Sequence, residues 1–326
     1  MKRELGKGAS QSSTMKKSIL RNLSLSFFLT LFIFVSAKSD AASSEDTLKV
    51  FDTHIEHVRT LPGSQFDYDS HDYYTSLLRL ALSKIENEYG KAKLTFTKER
   101  LVQSRILKEL AGQGGVDVFW TVTSKEREAT AIPVRVPLLN GIMGLRVSLV
   151  LEENLSNFTV PTQGKSLTEM VAGQGHDWPD YEILHSNGFL VLGTSTYDLL
   201  VELLKKERID YFPRALNEAI VEQKALKNKG IVIEPNHVLY YPSYIFFFVS
   251  KAKPELASRI EKGLKIAVED GSFSKLFKSY VDTEHLNNEL DLANRTMLRL
   301  QNPLLSEETT ALSTSFDAMR YLLSAY

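Results

Sequence analysis

From residue 71 onward, short apolar runs alternate with segments whose apolar residues recur at helical spacing, and glycine closes most of those segments. In His71–Tyr89, residues Tyr74, Leu77, Leu78, Ala81, Leu82 and Ile85 fall on one helical face, and Gly90 follows. Glycine is the residue type that most readily ends a helix. Lys93–Thr97 reads as a strand, Leu101–Ala111 as a helix stopped by Gly112, and Val116–Trp120 as a strand apolar on both faces. With a strand start at Thr47–Phe51 this is a β-α-β-α-β run, which predicts a parallel sheet covered by helices.

Pro137–Leu151 breaks the rhythm as an extended stretch containing Gly141 and Gly144. A second β/α series follows. It has strands at Val171–Gln174, Phe189–Leu192, Ile209–Phe212 and Ile231–Glu234, and helices at Trp178–Asn187, Tyr197–Lys206 and Arg214–Lys227. Tyr244–Val249 is a further strand. Helices are then expected at Glu255–Glu269, Phe273–Tyr280, Leu286–Arg299 and Ser315–Leu323. Such a chain leaves its first α/β unit, builds a second, and returns. Two crossings make a hinge, and the cleft between lobes is the default ligand site.

The N-terminus carries Lys16, Lys17 and Arg21, then an apolar run from Leu23 to Val35, then small residues around Ala37 and Ala41. This is the pattern of a cleavable signal peptide over 1–41, with Met15 as the more natural start. The run is shorter than the ~20 residues needed to span a bilayer. Residues 1–41 hold 7 Lys/Arg and 2 Asp/Glu, so the whole-chain charge of −1 becomes −6 without them, 32 basic against 38 acidic. A mildly acidic exported, periplasmic protein is expected. A nucleic-acid partner, which would call for a basic excess, is not. There are no cysteines. That excludes disulfides, thiolate zinc sites, iron–sulfur clusters, a thiol nucleophile and a lipid anchor on an N-terminal cysteine.

Four groups of residues carry a resemblance. They are Leu48-Lys49-Val50, Asp117-Val118-Phe119-Trp120-Thr121-Val122-Thr123-Ser124-Lys125-Glu126-Arg127, Arg208-Ile209-Asp210, and Asp270-Gly271-Ser272-Phe273-Ser274-Lys275-Leu276-Phe277. In this order the chain resembles the family 3 extracytoplasmic solute-binding proteins, which include the polar amino-acid binders of ABC transporters. Gly173-Gln174-Gly175-His176-Asp177-Trp178-Pro179-Asp180 and Asp210-Tyr211-Phe212-Pro213-Arg214 look like a stand-alone subgroup. The resemblance implies an α/β, type II periplasmic-binding fold: two α/β lobes joined by a two-strand hinge, with extra C-terminal helices. Lobe 1 would take 45–138 and, on return, 237–285. Lobe 2 would take 139–236, and 286–326 would be a helical extension.

The resemblance gives Arg127 the role of a clamp for a ligand carboxylate, for which a planar guanidinium is suited. The plain alternative is a surface arginine in a charged run. Trp120, Thr121 and Thr123 follow directly from a buried strand, where ligands of open α/β sheets sit. There a Trp can wall a ligand and a Thr hydroxyl can bond it, or the Trp can simply be core. The turn Gly173–Trp178, with Gln174, Gly175, Asp177 and Trp178 as candidates, leads into a helix N-terminus suited to an anion. Asp177 as N-cap would compete for the same donors. His176 reads as a pH-sensitive contact or an exposed loop histidine.

In the amino-acid binders an ammonium-holding Asp lies five residues after the match to Asp210. Here that position is Ala215, with Arg214 beside it. A second cleft arginine suits a ligand with two acidic ends. Glu218 is placed to pair with Arg214 or to receive an ammonium. Arg135 and Arg146 flank the first crossing and Tyr241 lies near the second, either lining the cleft or tying the hinge. No nucleophile elbow, P-loop or His-Glu-x-x-His helix is present. No cofactor or metal is expected, and a binding protein is expected rather than an enzyme. A lyase using Glu126 or Asp177 is the enzymatic alternative. The expected chain is a monomer that takes a small anionic or amino-acid-like ligand and presents it to a membrane permease or a membrane signalling protein.

Overall fold

A computed structural model describes residues 55–61, 70–97, 103–112, 114–159 and 166–312. The expected leader, the strand at Thr47–Phe51 and the helix at Ser315–Leu323 lie outside the described residues. In chain order the first elements are β1 (Glu56–Thr60), α1 (Ser70–Ser83), the single turn α2 (Glu86–Tyr89), β2 (Ala92–Phe96), α3 (Gln103–Ala111), β3 (Val118–Val122), α4 (Lys125–Thr130) and β4 (Ile132–Val134). Then come β5 (Leu145–Leu151), β6 (Val171–Gly175), α5 (Pro179–Ser186), β7 (Leu190–Thr194), α6 (Tyr197–Lys205), β8 (Phe212–Ala215), α7 (Leu216–Leu226), β9 (Ile231–Ile233) and β10 (His237–Tyr240). The chain closes with β11 (Ile245–Val249), α8 (Pro254–Glu269), α9 (Ser272–Tyr280), α10 (Thr283–Leu290), β12 (Thr296–Arg299) and α11 (Glu307–Leu312).

Two sheets result. In the first, β1 pairs with β2 in parallel, and β11 runs antiparallel between β3 and β4. The Asp117 N–H donates to the Arg59 carbonyl at 2.8 Å and sets β1 beside β3. Asp117 itself is 1% exposed. Its carboxylate accepts from Arg59 N (2.8 Å), Arg59 Nε (3.1 Å) and Arg59 Nη2 (2.6 Å), and Lys253 Nζ lies 3.1 Å away. One buried carboxylate thus ties β1, β3 and the approach to α8. Burial alone would raise its pKa, but the Arg59 and Lys253 contacts win and hold it below the ordinary value. All five residues of β11, Ile245, Phe246, Phe247, Phe248 and Val249, are buried. Each side chain is worth about 1.5–3 kcal/mol in burial, enough to hold this strand in the interior.

In the second sheet β5 is central. It runs antiparallel to β8 on one edge, and to β9 and β10 on the other. β12 adds in parallel to β10. The parallel pair β6–β7 joins β8 through Gly173 N to Tyr211 O and Asp210 N to Val171 O, both 2.8 Å. The sheets are therefore mixed, not parallel as the sequence alternation predicts. β5 and β11 are the strands next to the crossings. β11 enters against the direction of β3 and β4, and β8, β9 and β10 run against β5.

The crossings lie side by side. Leu239 pairs with Arg146 and Tyr240 with Leu145, and Tyr241 N donates to Gly144 O at 3.0 Å. A Cβ on Gly144 would sit 2.5 Å from the Tyr241 carbonyl oxygen, so only glycine permits this approach. One apolar cluster runs through the hinge. It joins Val118, Phe247 and Leu264 of the first sheet and its helices to Leu145, Val147, Leu216 and Val238 of the second.

Three expected elements differ. Arg214 does not open a helix but sits in β8 opposite Val147. The helix starts at Leu216, where Glu218 Oε2 accepts from Ala215 N at 3.0 Å and fixes its first turn. The expected helix Leu286–Arg299 divides in two. Asp291 takes φ 47°, a left-handed conformation that stops α10, and Thr296–Arg299 extends along β10. The strand His237–Tyr240 belongs to the second sheet, so the return begins after it.

Candidate functional site

The first-sheet side of the site is α4. Its N-cap is Ser124, whose Oγ accepts from Arg127 N at 3.2 Å and so orients the residue three places on. Arg127 is 7% exposed. Its Nη1 donates to Thr121 Oγ1 (2.6 Å) and Val122 O (2.8 Å), and its Nη2 donates to Asp177 O (2.7 Å). Thr121 Oγ1 in turn donates to Gln103 Oε1 at 3.0 Å. The last of the Arg127 bonds crosses from the first α/β unit to the second. All three acceptors are uncharged. Burial pushes the Arg127 pKa down to about 10, against the opposing pull of Asp177, Asp180 and Glu126.

The other buried arginines of this region are neutralised. Arg146, on β5, lies 2.7 Å from Asp180 and 3.8 Å from Glu218, and its Nε donates to Tyr241 Oη at 2.9 Å. Tyr241 donates to Asp180 Oδ1, completing a ring of groups at the hinge. Burial alone lowers the Arg146 pKa, but Asp180 and its neighbours hold it above the usual value. The Tyr241 hydroxyl is raised by burial and by Asp180. Arg214 meets Glu222 through Nε (3.0 and 2.9 Å) and Nη2 (2.7 Å), and Glu218 lies 3.3 Å away. Its guanidinium is stacked among Trp178 (5.1 Å), Phe212 (5.1 Å) and Tyr197 (5.8 Å). Burial alone would lower its pKa; Glu218 and Glu222 more than reverse that. Around Arg127, Arg146 and Arg214 stand Asp177, Asp180, Glu218 and Glu222, so carboxylates outnumber guanidinium groups.

The turn between β6 and α5 is shaped by its glycine. A Cβ on Gly175 would fall 2.5 Å from the Trp178 ring, so the indole folds back over bare backbone. Gln174 is 1% exposed. Its Nε2 donates to Pro213 O at 3.0 Å, while its Oε1 has no hydrogen-bond partner among the described residues. A buried acceptor left open calls for an explanation.

Several expected residues take other places. Trp120 packs in the core, stacked on Tyr74 at 5.2 Å. Thr123 is buried and donates to Glu128 Oε1 at 2.6 Å. Arg135 reaches Glu128 Oε2 at 2.7 Å rather than the cleft. His176 is exposed, and its Nδ1 and backbone N both face Thr194 O, at 2.8 and 2.9 Å. Asp177 does not cap α5. The N-cap there is Trp178, and Asp177 Oδ2 accepts from Ser104 N at 3.3 Å, drawn across to the other unit by α3. Pro at the first helical position supplies the pre-set φ that makes a side-chain cap dispensable.

Asp180, Glu222 and Gln103 escape the sequence reading. Asp180 stands inside the quoted motif Trp178-Pro179-Asp180 as an acidic first-turn residue, which is a signal in plain view. Glu222 meets Arg214 only through the fold of β8 into α7. Among the described residues no group of three or more His, Asp and Glu is placed to hold a metal, and no helix is long and apolar enough to cross a membrane.

No family model and no curated protein matches the chain. Solved structures do. The arginine-, lysine-, histidine-binding protein ArtJ of the thermophilic bacterium Geobacillus stearothermophilus superimposes with a TM-score of 0.51 at 15% identity, over 70% of this chain and 96% of that one. The periplasmic VFT2 domain of Bordetella pertussis BvgS gives 0.52 at 11%, over 71% and 94%. A histidine kinase sensor domain with similarity to periplasmic binding proteins gives 0.50 at 17%, over 71% and 97%. The fold is the type II periplasmic-binding fold, two α/β lobes joined by adjacent crossings.

Proposed function

We propose that this chain, built on the type II periplasmic-binding fold, is an extracytoplasmic receptor for a small amino-acid-like solute carrying one carboxylate and one cationic group. The observation that carries this reading is Arg127, a buried guanidinium whose side-chain hydrogen bonds among the described residues all go to uncharged oxygens. A ligand carboxylate would supply the missing charge as a bidentate partner. Arg146 and Arg214 already hold carboxylates, which weighs against a ligand with two acidic ends. The open acceptor Gln174 Oε1 and the surplus of carboxylates suit a ligand ammonium instead.

Thr121 and the turn Gln174–Trp178 complete the proposed contact set. Closure of the lobes over the ligand shifts an open–closed equilibrium that a membrane partner reads. An uptake permease is the first choice of partner and a signalling receptor the second. Neighbours on this fold include an arginine-, lysine-, histidine-binding protein and a histidine kinase sensor domain. Binding without turnover is expected, so a captured ligand is recovered unchanged.

The test is a thermal-shift screen of zwitterionic amino acids against dicarboxylates. A ligand at ~100-fold excess over Kd stabilises by about 2.7 kcal/mol. Shifts confined to dicarboxylates would sink this reading.

A further inference from the structure

The last described segment is joined to both lobes. β12 pairs with β10 of the second sheet. Next, Leu300 N donates to Tyr240 O at 2.8 Å, and Asn187, at the C-terminus of α5, exchanges two bonds with Gln301: Asn187 Nδ2 to Gln301 O (2.8 Å) and Gln301 N to Asn187 Oδ1 (3.0 Å). Asn302 Nδ2 donates to Pro242 O at 2.8 Å, within the second crossing. Immediately afterwards the chain is on the first lobe. Lys125 N donates to Leu304 O at 2.7 Å, and Leu305 and Leu312 pack against the cluster of Phe119, Phe246 and Phe248.

The anchor on that side is Glu128. Its Oε2 accepts from Ser306 Oγ (2.8 Å) and its Oε1 from Thr309 Oγ1 (2.7 Å). The same carboxylate holds Thr123 and Arg135. It sits on α4, next to Arg127. From Gln301, fixed to the second lobe, to Leu304, fixed to the first, three peptide steps can span at most about 11 Å. Neither end can follow a wide lobe separation without losing its bonds.

We propose that residues 300–312 form a third interlobe crossing, a taut strap that limits how far the cleft opens and, through Glu128, positions the helix carrying Arg127. This rests on the two-lobed receptor reading above. It assigns a role to a segment that lies beyond the ligand contacts.

The absence of cysteine allows a direct test. Spin labels at Lys205→Cys and Lys278→Cys, exposed on the second and first lobes, report the interlobe distance in the full chain. Two strap variants are compared with the parent. One is Asn302→Ala with Ser306→Ala and Thr309→Ala. The other inserts five Gly/Ser residues after Asn302, which leaves every anchoring side chain in place and adds slack. Both should keep a cooperative melt and show a longer, broader distance distribution than the parent. If the triple variant fails to fold, the insertion decides alone. An unchanged distance in the strap variants, with a longer one in Arg127→Ala, overturns the strap while the lobes still move. An unchanged distance in all three overturns the strap and the two-lobed receptor together.

Discussion

Arg127 and Asp177 meet across the cleft through a single bond, guanidinium Nη2 to backbone carbonyl at 2.7 Å. That bond joins helix α4 of one lobe to the turn before α5 of the other without neutralising the charge it brings. A cation held this way is costly to the empty protein and ready for an anion.

Replacing Arg127 by Met should therefore stabilise the ligand-free protein while ending carboxylate capture. A gain of about 1 kcal/mol would raise the melting temperature by roughly 1–2 °C in a chain of this size. Scanning calorimetry without ligand measures the first effect and the ligand-induced shift the second. A ligand-free melt lowered by many degrees would mean that the arginine is structural.

Arg214 should behave in the opposite way. Its removal takes away the guanidinium that Glu222, 4% exposed, meets through three hydrogen bonds. Arg214→Ala is expected to cost about 3–5 kcal/mol. Arg214→Met combined with Glu222→Leu should recover most of that loss, read as a double-mutant cycle in urea. A single variant as stable as the parent contradicts the buried-pair assignment.

Acid should unfold the protein partly through Asp117 and Glu128. Burial raises both carboxylates, but Arg59 and Lys253 in one case, and Thr123, Thr309, Ser306 and Arg135 in the other, bring them below their ordinary values. The unfolded chain binds protons at these sites near pH 4 while the folded chain does not. Their contribution is thus complete above about pH 5 and is lost as the pH falls through the lowered folded values. Asp117→Asn should lower stability at pH 7 by about 1–3 kcal/mol and flatten the acid limb of a stability–pH curve. A parallel curve, displaced but equally steep, would refute the assignment.

Gly144→Ala places a methyl group where the Tyr241 carbonyl oxygen stands. The two crossings must part, at a cost of about 1–3 kcal/mol. Hydrogen exchange should then quicken at Tyr241 N, which bonds Gly144 O. Unaltered exchange there would show that the crossings are not locked by this approach.

The apolar periodicity made the scaffold legible. The run Tyr244–Val249 and the face Leu256, Ile260, Leu264, Ala267 and Val268 announced a buried strand and its covering helix; the strand stands at Ile245–Val249 and the helix at Pro254–Glu269, with Val268 turned to solvent. β1 and β12 escaped because they are short and polar on the outside. In Glu56–Thr60 one apolar residue, Val58, reaches the core, and such strands exist only through their partners. The site was half legible for a related reason. Arg127, Arg146 and Arg214 could be picked out as arginines near a cleft. Which of them carries free charge depended on Asp180 and Glu222, residues brought to them by strand register and helix start rather than by local pattern.

The apolar cluster that continues from one sheet to the other through Leu145, Val147 and Leu216 has a mechanical consequence. Two bodies that share close-packed side chains at their joint cannot swing as if hung on bare chain. They can only roll against one another, repacking a few contacts at a time. Substitutions among those shared side chains should reset the resting angle of the receptor, and with it the apparent affinity, from positions that no ligand atom touches.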